Sequence, residues 1–200
     1  MRTVVILLFD EVEILDATGP FEVFSVADRL RSRETLDGRS CFRACTVAQS
    51  RTVKARHGLY VVPDKLLSEC ETCDVLIVPG GVVDAARESS DLLEWVRRMA
   101  DRSERVASVC TGSFILAEAG LLDRKRATTH WEDIEEFRRT FPRVQVITDV
   151  RWTEDGNIWT SAGISSGLDM SLQLVAGFEG TTLAQCTARQ MEYAWNRNGQ

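Results

Sequence analysis

Residues 107–117 read ASVCTGSFILA, and this stretch decides the fold because it passes from one kind of element to another through a cysteine. The small and apolar residues before Cys110 are typical of a short buried strand, which we predict over residues 105–109. The residues after it favour a helix over 112–119, closed by Gly120. Cys110 is therefore expected at the turn between a strand and a helix.

The rest of the chain repeats this alternation of strands and helices. TVVILLF (residues 3–9) and DVLIVPGG (74–81) contain the continuous apolar runs of strands buried on both faces. The alternation predicts an α/β fold with a mostly parallel sheet flanked by helices on both faces, built as a single domain over residues 1–200. Further strands are predicted at 41–48 and 57–62, with a hairpin around 51–56, and within 144–161 around a turn at Asp155-Gly156. Helices are predicted from Pro20 onward and at 91–102, 132–140, 165–178 and 182–195.

The composition argues against several classes of function. A formal net charge of −6 does not suit a surface that grips phosphates, so we do not expect nucleic acid as a direct partner. The apolar opening at residues 4–9 is followed at once by Asp10 and Glu11, unlike a secretory signal peptide. No apolar run approaches the roughly 20 residues needed to cross a bilayer, so we expect a cytoplasmic protein without a membrane partner.

The cysteines favour free thiols over disulfides or a metal site. There are six of them, and a chain with a full core does not need disulfides for stability. Cys70 and Cys73 have CxxC spacing, but Cys41 and Cys45 lie in a predicted strand, where four residues span about 13 Å. These two cannot both reach one tetrahedral metal unless the strand breaks. Redox or metal use of the CxxC pair is the minor alternative, and we expect no metal at these cysteines.

The position of Cys110 favours nucleophilic chemistry. In open α/β sheets, ligands bind beyond the carboxyl ends of the strands, where we expect this thiol. A helix N-terminus favours an anion, so we predict a lowered thiol pKa and a partly ionised sulfur. Gly80 and Gly81 end the neighbouring strand, and the amides of Gly81 and Thr111 are candidates for stabilising negative charge. The alternative is that the two glycines only form a tight turn.

Two further residues are candidates for proton transfer. Asp16 precedes the predicted helix, where a carboxylate either caps the helix or faces the thiol as a general acid and base, and the residues alone do not decide between these. His130 lies twenty residues after Cys110, and a Cys-His pair would suit acyl transfer. A histidine packed or hydrogen-bonded in the wall of a pocket is the favoured alternative for His130.

Three blocks in order resemble the ThiJ/PfpI superfamily: LDATGPFEVF (15–24), DVLIVPGG (74–81) and VCTGSFILAEAGLLDRKRATTHW (109–131). The resemblance extends over nearly the whole chain and implies a flavodoxin-like, class I glutamine amidotransferase-like three-layer sandwich. Within the superfamily the chain is most similar to isocyanide hydratases and to the amidase-like domains of AraC-type regulators, which share Cys-Thr-Gly and Leu-Asp-x-Thr-Gly-Pro. Thr111 stands where intracellular proteases of the superfamily have histidine, and the His-x-Glu that amidotransferases carry near the end of the chain has no counterpart there in this sequence.

The resemblance to the hydratases implies roles for individual residues. It assigns Cys110 as the nucleophile, Asp16 as the general acid and base, and Thr111 as a hydroxyl and amide near the reacting atoms. The implied reaction is hydration of an isocyanide, a small-molecule substrate, to an N-substituted formamide by a homodimer without metal or cofactor. The alternatives are a ligand-sensing domain and a redox or glyoxal stress protein based on Cys110. Because the sequence ends at Gln200, we expect a stand-alone enzyme.

Overall fold

A computed structural model describes residues 1–34 and 39–199 of the chain. The strands are β1 Arg2–Leu8, β2 Phe42–Ala48, β3 Val53–Lys54, β4 Tyr60–Val61, β5 Lys65–Leu66, β6 Val75–Val78, β7 Arg105–Val109, β8 Arg126–Ala127, β9 Gln145–Val146, β10 Trp152–Asp155 and β11 Ile158–Ser161. The helices are α1 Ile14–Glu34, α2 Asp84–Glu88, α3 Ser90–Ala100, α4 Gly112–Glu118, α5 Ile134–Thr140, α6 Ser166–Glu179 and α7 Thr181–Gln190. Single 3₁₀ turns lie at Arg56–Gly58, Leu67–Glu69 and Trp131–Asp133.

The predicted α/β fold with a mostly parallel sheet is confirmed. Within the described residues the main sheet has the strand order β10-β11-β7-β6-β1-β2-β5, and β10 alone runs antiparallel, through the predicted turn at Asp155-Gly156. The central strand β1 is completely buried over most of its length, as its continuous apolar run predicts. Helices α1, α6 and α7 pack together, as do α2, α3 and α4, and the three-layer sandwich results.

The register of the parallel strands determines where the functional residues meet. Val78 of β6 pairs with Ser108 of β7, and Val109 pairs with Ser161 of β11. The residues that follow these strands therefore emerge at one edge of the sheet. The segment after β1 reaches the same edge, where Val12 makes a bridge with Gly81.

Helix α1 begins earlier than predicted. Its first residue is Ile14, so Pro20 lies inside the helix and Asp16 lies in the first turn instead of ahead of it. Proline disfavours a helix interior because it removes one backbone donor. Here buried side chains on both sides of Pro20, including Ala17 and Phe24, pack into the core and offset that loss.

Other boundaries also differ from the predictions. The predicted strand at 57–62 is a 3₁₀ turn followed by the short β4, which forms the hairpin with β3. Helix α7 ends at Gln190, short of the predicted residue 195, because Glu192 has a positive φ of 50° and Trp195 turns back to donate its indole N–H to Asp169 O. The Tyr193 N–H donates to Ala188 O and the Glu192 N–H to Arg189 O, so a local backbone motif closes this helix, and the Trp195 contact holds the segment that follows.

The buried apolar side chains form one contiguous cluster around the sheet. Cys41, Cys45, Cys70 and Cys73 belong to it and are buried thiols. Within the residues described, no helix is both long and apolar enough to cross a bilayer.

Candidate functional site

Cys110 occupies a strained turn between β7 and α4. Its φ of +55° lies in the left-handed region, which is costly for a residue with a Cβ atom. The Cys110 N–H donates to Ser161 O at 3.0 Å. A Cβ atom on Gly112 would lie 2.1 Å from Val78 O, so only glycine lets the helix start this close to β6. The thiol is therefore presented where two neighbouring strands end.

The turn after β6 is hydrogen-bonded directly to the strained turn at Cys110. The Thr111 hydroxyl accepts the Gly81 N–H at 2.9 Å and donates to Gly81 O at 2.9 Å. A Cβ atom on Gly80 would lie 2.7 Å from Thr111 N, so the contact requires glycine. The Gly81 amide that we considered for stabilising negative charge is thus already engaged by Thr111 in this structure.

Asp16 is brought to Cys110 as a completely buried carboxyl group. Its Oδ2 accepts the Gly80 N–H at 3.0 Å, while its buried Oδ1 has no partner of regular hydrogen-bond geometry among the described residues. Burial raises the pKa of Asp16 to about 7; the Gly80 N–H lowers it, the charge of Glu13 raises it, and the Cys110 thiol lowers it. The Cys110 thiol therefore lies close enough to lower the pKa of Asp16, although it makes no hydrogen bond of regular geometry to Oδ1.

The predicted lowering of the thiol pKa is wrong for this structure. Burial, and then the charge of Asp16, raise the pKa of the Cys110 thiol to about 12. The Thr111 N–H acts in the opposite direction but is outweighed. Helix α4 has only seven residues, and the desolvation of a sulfur placed against a carboxyl exceeds the help of such a short helix. The resting sulfur therefore holds its proton beside an acceptor whose pKa is near neutrality.

His130 follows Thr129, whose hydroxyl donates to Cys110 O. Its Nδ1 is 3.5 Å from Asp133 Oδ2, and a Cβ atom on Gly163 would lie 2.8 Å from its Cδ2, so the imidazole packs against backbone. Burial raises the pKa of Asp133, His130 lowers it, and the charge of Asp133 acts on Cys110. His130 is thus held by the carboxyl group three residues away, and the structure shows no direct contact between its imidazole and Cys110 or Asp16.

Sequence reasoning missed three residues of the site. Asp133 contacts His130, and the hydroxyls of Thr129 and Ser113 each donate to Cys110 O at 3.1 Å. The His-x-x-Asp spacing was an available signal for Asp133, since residues three apart in a helical turn are neighbours. Thr129 carries no such signal, because its contact with Cys110 arises only from the tertiary fold.

A cavity of about 640 Å³ lies next to the site on the side of Thr129. Cys110 and Asp16 are not among its lining residues. The exposed Trp131 contributes an aromatic wall, and Arg138 and Arg151 contribute positive charge. The other lining residues are Thr128, Thr129, Ile134, Glu135, Thr148, Asp149, Val150, Ala162 and Ser166.

The CxxC pair lies apart from this site. Cys70 and Cys73 are buried near Cys45, and burial raises the pKa of all three thiols, that of Cys73 to about 12. Across the described residues, no group of three or more His, Cys, Asp or Glu side chains is arranged to hold a metal ion.

Together, the strained turn at Cys110 and the buried carboxyl group of Asp16 define a class of α/β protein with a thiol at the carboxyl edge of a parallel sheet. The chain belongs to the DJ-1/PfpI family, whose model matches residues 2–177. The predicted resemblance to this superfamily is confirmed.

Individual relatives agree with this assignment. The chain is 36% identical to isonitrile hydratase of Pseudomonas putida over 190 residues, which are 94% of this chain and 77% of that protein. It is 32% identical to the HTH-type transcriptional regulator GbdR of Pseudomonas aeruginosa over 94% of this chain, and it spans about half (51%) of the regulator's length. The crystal structure of a ThiJ/PfpI family protein from Pseudomonas syringae superposes with a TM-score of 0.82, at 30% identity, over 98% of this chain and 76% of that one.

Proposed function

We propose that the protein hydrates isocyanides to N-substituted formamides. The observation that carries the proposal is the buried Asp16 carboxyl, with a pKa of about 7, beside the Cys110 thiol. The 36% identity with an isonitrile hydratase over most of both chains supports the same reaction. The substrate is a small molecule, and we retain the expectation of a homodimer.

The first chemical step forms a thioimidate. Ionised Asp16 takes the Cys110 proton as the sulfur attacks the terminal carbon of the isocyanide, and a C–S bond forms. Protonated Asp16 then delivers the same proton to that carbon. The product R–N=CH–S–Cys contains all the atoms of thiol and isocyanide, so no redox partner is required. A raised thiol pKa is consistent with this order, because the proton leaves only as the C–S bond forms.

The second step releases the product. Water adds to the C=N bond and gives a carbon bearing OH, NH–R and the sulfur. Collapse of this intermediate forms the formamide C=O, breaks the C–S bond and returns the hydroxyl proton to the sulfur through Asp16. The Thr111 N–H interacts with the sulfur and is suited to stabilise it as it leaves. The steps require neither a metal nor an organic cofactor.

Turnover of an aryl isocyanide by the full chain tests this proposal. We expect saturable formation of the matching formamide, lost in Cys110→Ala and retained in Cys186→Ala, which removes a partly exposed thiol outside the site. Formamide is measured by NMR, and folding of each variant by circular dichroism. Turnover by folded Cys110→Ala at the wild-type rate contradicts a thioimidate.

A ligand-sensing role is the second candidate, because the regulator relative matches 94% of this chain at 32% identity. In this case Cys110→Ala binds an isocyanide or formamide as tightly as the wild type, and neither protein turns it over. Calorimetry beside the turnover assay distinguishes the two functions. The redox alternative is less favoured, since sensor cysteines are low-pKa thiols and burial raises the pKa of Cys110.

A further inference from the structure

We infer that Thr129 and Ser113 are positioning residues that fix the peptide group after Cys110, so that the Thr111 N–H points at the reacting sulfur. The expected effect on isocyanide turnover rests on the proposed function. The expected effect on the reactivity of the Cys110 thiol is independent of it.

The Cys110 carbonyl oxygen accepts hydrogen bonds from two sides. Thr129 Oγ1 donates to it at 3.1 Å from the segment after β8, and Ser113 Oγ donates at 3.1 Å from the first turn of α4. The Ser113 N–H is a third, longer donor at 3.4 Å. Thr129 and Ser113 are both completely buried, so water does not replace their hydroxyls as donors.

Peptide planarity transmits this contact to the sulfur. The carbonyl of Cys110 and the N–H of Thr111 belong to one rigid peptide unit and point in opposite directions. Donors that hold the carbonyl therefore also set the direction of the Thr111 N–H, the backbone donor that interacts with the thiol sulfur. Donors on the carbonyl also polarise the unit and strengthen its N–H as a donor.

The left-handed conformation of Cys110 is the reason that its carbonyl group needs these two hydrogen bonds. A non-glycine residue with a φ of +55° leaves this region readily unless its neighbours hold both of its peptide groups. Ser161 O holds the group before Cys110, and the two hydroxyls hold the group after it. Without the hydroxyls, only the longer Ser113 N–H bond holds the second peptide group, and the direction of the Thr111 N–H toward the sulfur is less well fixed.

Alkylation of Cys110 by iodoacetamide tests the inference directly. We use a Cys186→Ala background, in which Cys110 is the most accessible thiol of the described chain. Thr129→Val removes the hydroxyl at nearly constant volume and is expected to slow alkylation at pH 8 about fivefold, the equivalent of one hydrogen bond of ordinary net strength. The pH profile should also move to higher pH, and Thr129→Ser should restore both rate and profile.

The matched control is Thr187→Val. Thr187 is likewise completely buried and donates its hydroxyl to a carbonyl, Leu183 O, at 2.8 Å, but it lies in α7 outside the site. We expect it to lower stability without changing the alkylation profile. Ser113→Ala examines the same carbonyl from the helix side and keeps the test decisive if Thr129→Val folds poorly.

The inference is overturned if folded Thr129→Val and Ser113→Ala both react with the wild-type pH profile, or if Thr187→Val shifts the profile equally. With isocyanide as substrate, we expect Thr129→Val to lower kcat by a similar factor while KM stays constant. If the wild type turns over no isocyanide, the proposed function fails, and the alkylation profiles still decide the role of Thr129.

Discussion

Asp16 and Asp169 lie in equivalent places but have very different surroundings. Both are completely buried in the first turn of a helix, α1 for Asp16 and α6 for Asp169. Asp169 Oδ2 accepts Arg151 Nε at 2.5 Å, and its Oδ1 accepts the Asn196 N–H at 2.9 Å. Asp16 accepts one backbone N–H through Oδ2, and its Oδ1 has no regular partner among the described residues.

The difference teaches that burial alone does not determine what a carboxyl group does. Two donors, one of them charged, hold Asp169 and join α6 to Arg151 before β10 and to Asn196 after α7. One donor does not offset the desolvation of Asp16, so its pKa is raised to about 7 and it exchanges a proton near neutrality. A completely satisfied carboxylate stabilises the fold, whereas a partly satisfied one is available for chemistry.

The largest effect should come from exchanging the Asp16 carboxyl for an amide. Asp16→Asn still offers an oxygen to the Gly80 N–H but cannot take the thiol proton. We expect isocyanide turnover to fall about 10²–10⁴-fold, the usual contribution of a general acid or base. Formamide production at neutral pH measures it, with Asp169→Asn as the matched variant that should keep its turnover per folded molecule. Near-normal turnover by Asp16→Asn contradicts the assigned role.

The second effect is on the pH dependence of stability. The pKa of Asp16 is raised from 3.8 to about 7, so between these pH values the folded protein keeps a proton that the unfolded chain has released. Its contribution to stability is therefore complete below about pH 4 and declines as the pH rises to about 7. The decline should be about 4 kcal/mol, since raising the pKa from 3.8 to about 7 corresponds to about 1.4 kcal/mol for each pKa unit.

Chemical denaturation of wild type and Asp16→Asn from about pH 4 to about pH 8 measures this decline. As the pH rises, the free energy of unfolding of Asp16→Asn should increase relative to that of the wild type. Asp84→Asn, which alters an exposed carboxylate in α2, serves as the control and should follow the wild type. Parallel curves for wild type and Asp16→Asn would show that Asp16 ionises at its ordinary pKa.

The third effect concerns the other carboxylate. Asp169→Asn removes the charge that faces Arg151 and should lower the free energy of unfolding by about 2–3 kcal/mol, below the full cost of breaking a buried pair because Arg151 is 30% exposed. The urea midpoint measures the loss. Glu135→Gln, which removes the exposed pair with Arg138, should leave the midpoint unchanged. If the two variants behave alike, the contrast between the carboxylates does not hold.

The sheet could be predicted well from the sequence because its central strands are continuous apolar runs. Strand β7 has the predicted bounds of 105–109, and α4 ends as expected before Gly120, whose φ is +78°. The start of α1 was misplaced because the preference of Pro20 for a first turn is a local signal, which tertiary packing overrides. The three-block pattern also placed Cys110, Asp16 and Thr111 at one site, as the structure does.

The electrostatics of the site were not predictable in the same way. A helix N-terminus after Cys110 is visible in sequence and suggests an acidic thiol, but the burial and the facing carboxyl that reverse the direction appear only in three dimensions. The contact of Thr129 with Cys110 likewise joins residues nineteen positions apart. Asp169 gave no signal at all, since its partners come from the segment before β10 and from the end of the chain.

The pairing of β7 with both β6 and β11 has a consequence for the newly made protein. Until β11 joins the sheet, the Cys110 amide lacks the Ser161 acceptor, and until β6 does so, Gly80 cannot bring its N–H to Asp16. These contacts join residues distant in the chain, and contacts of this kind are slow to form. The surroundings that raise the pKa of Cys110 and place Asp16 beside it therefore exist only in the completed sheet, and an unfolded chain carries an ordinary cysteine thiol.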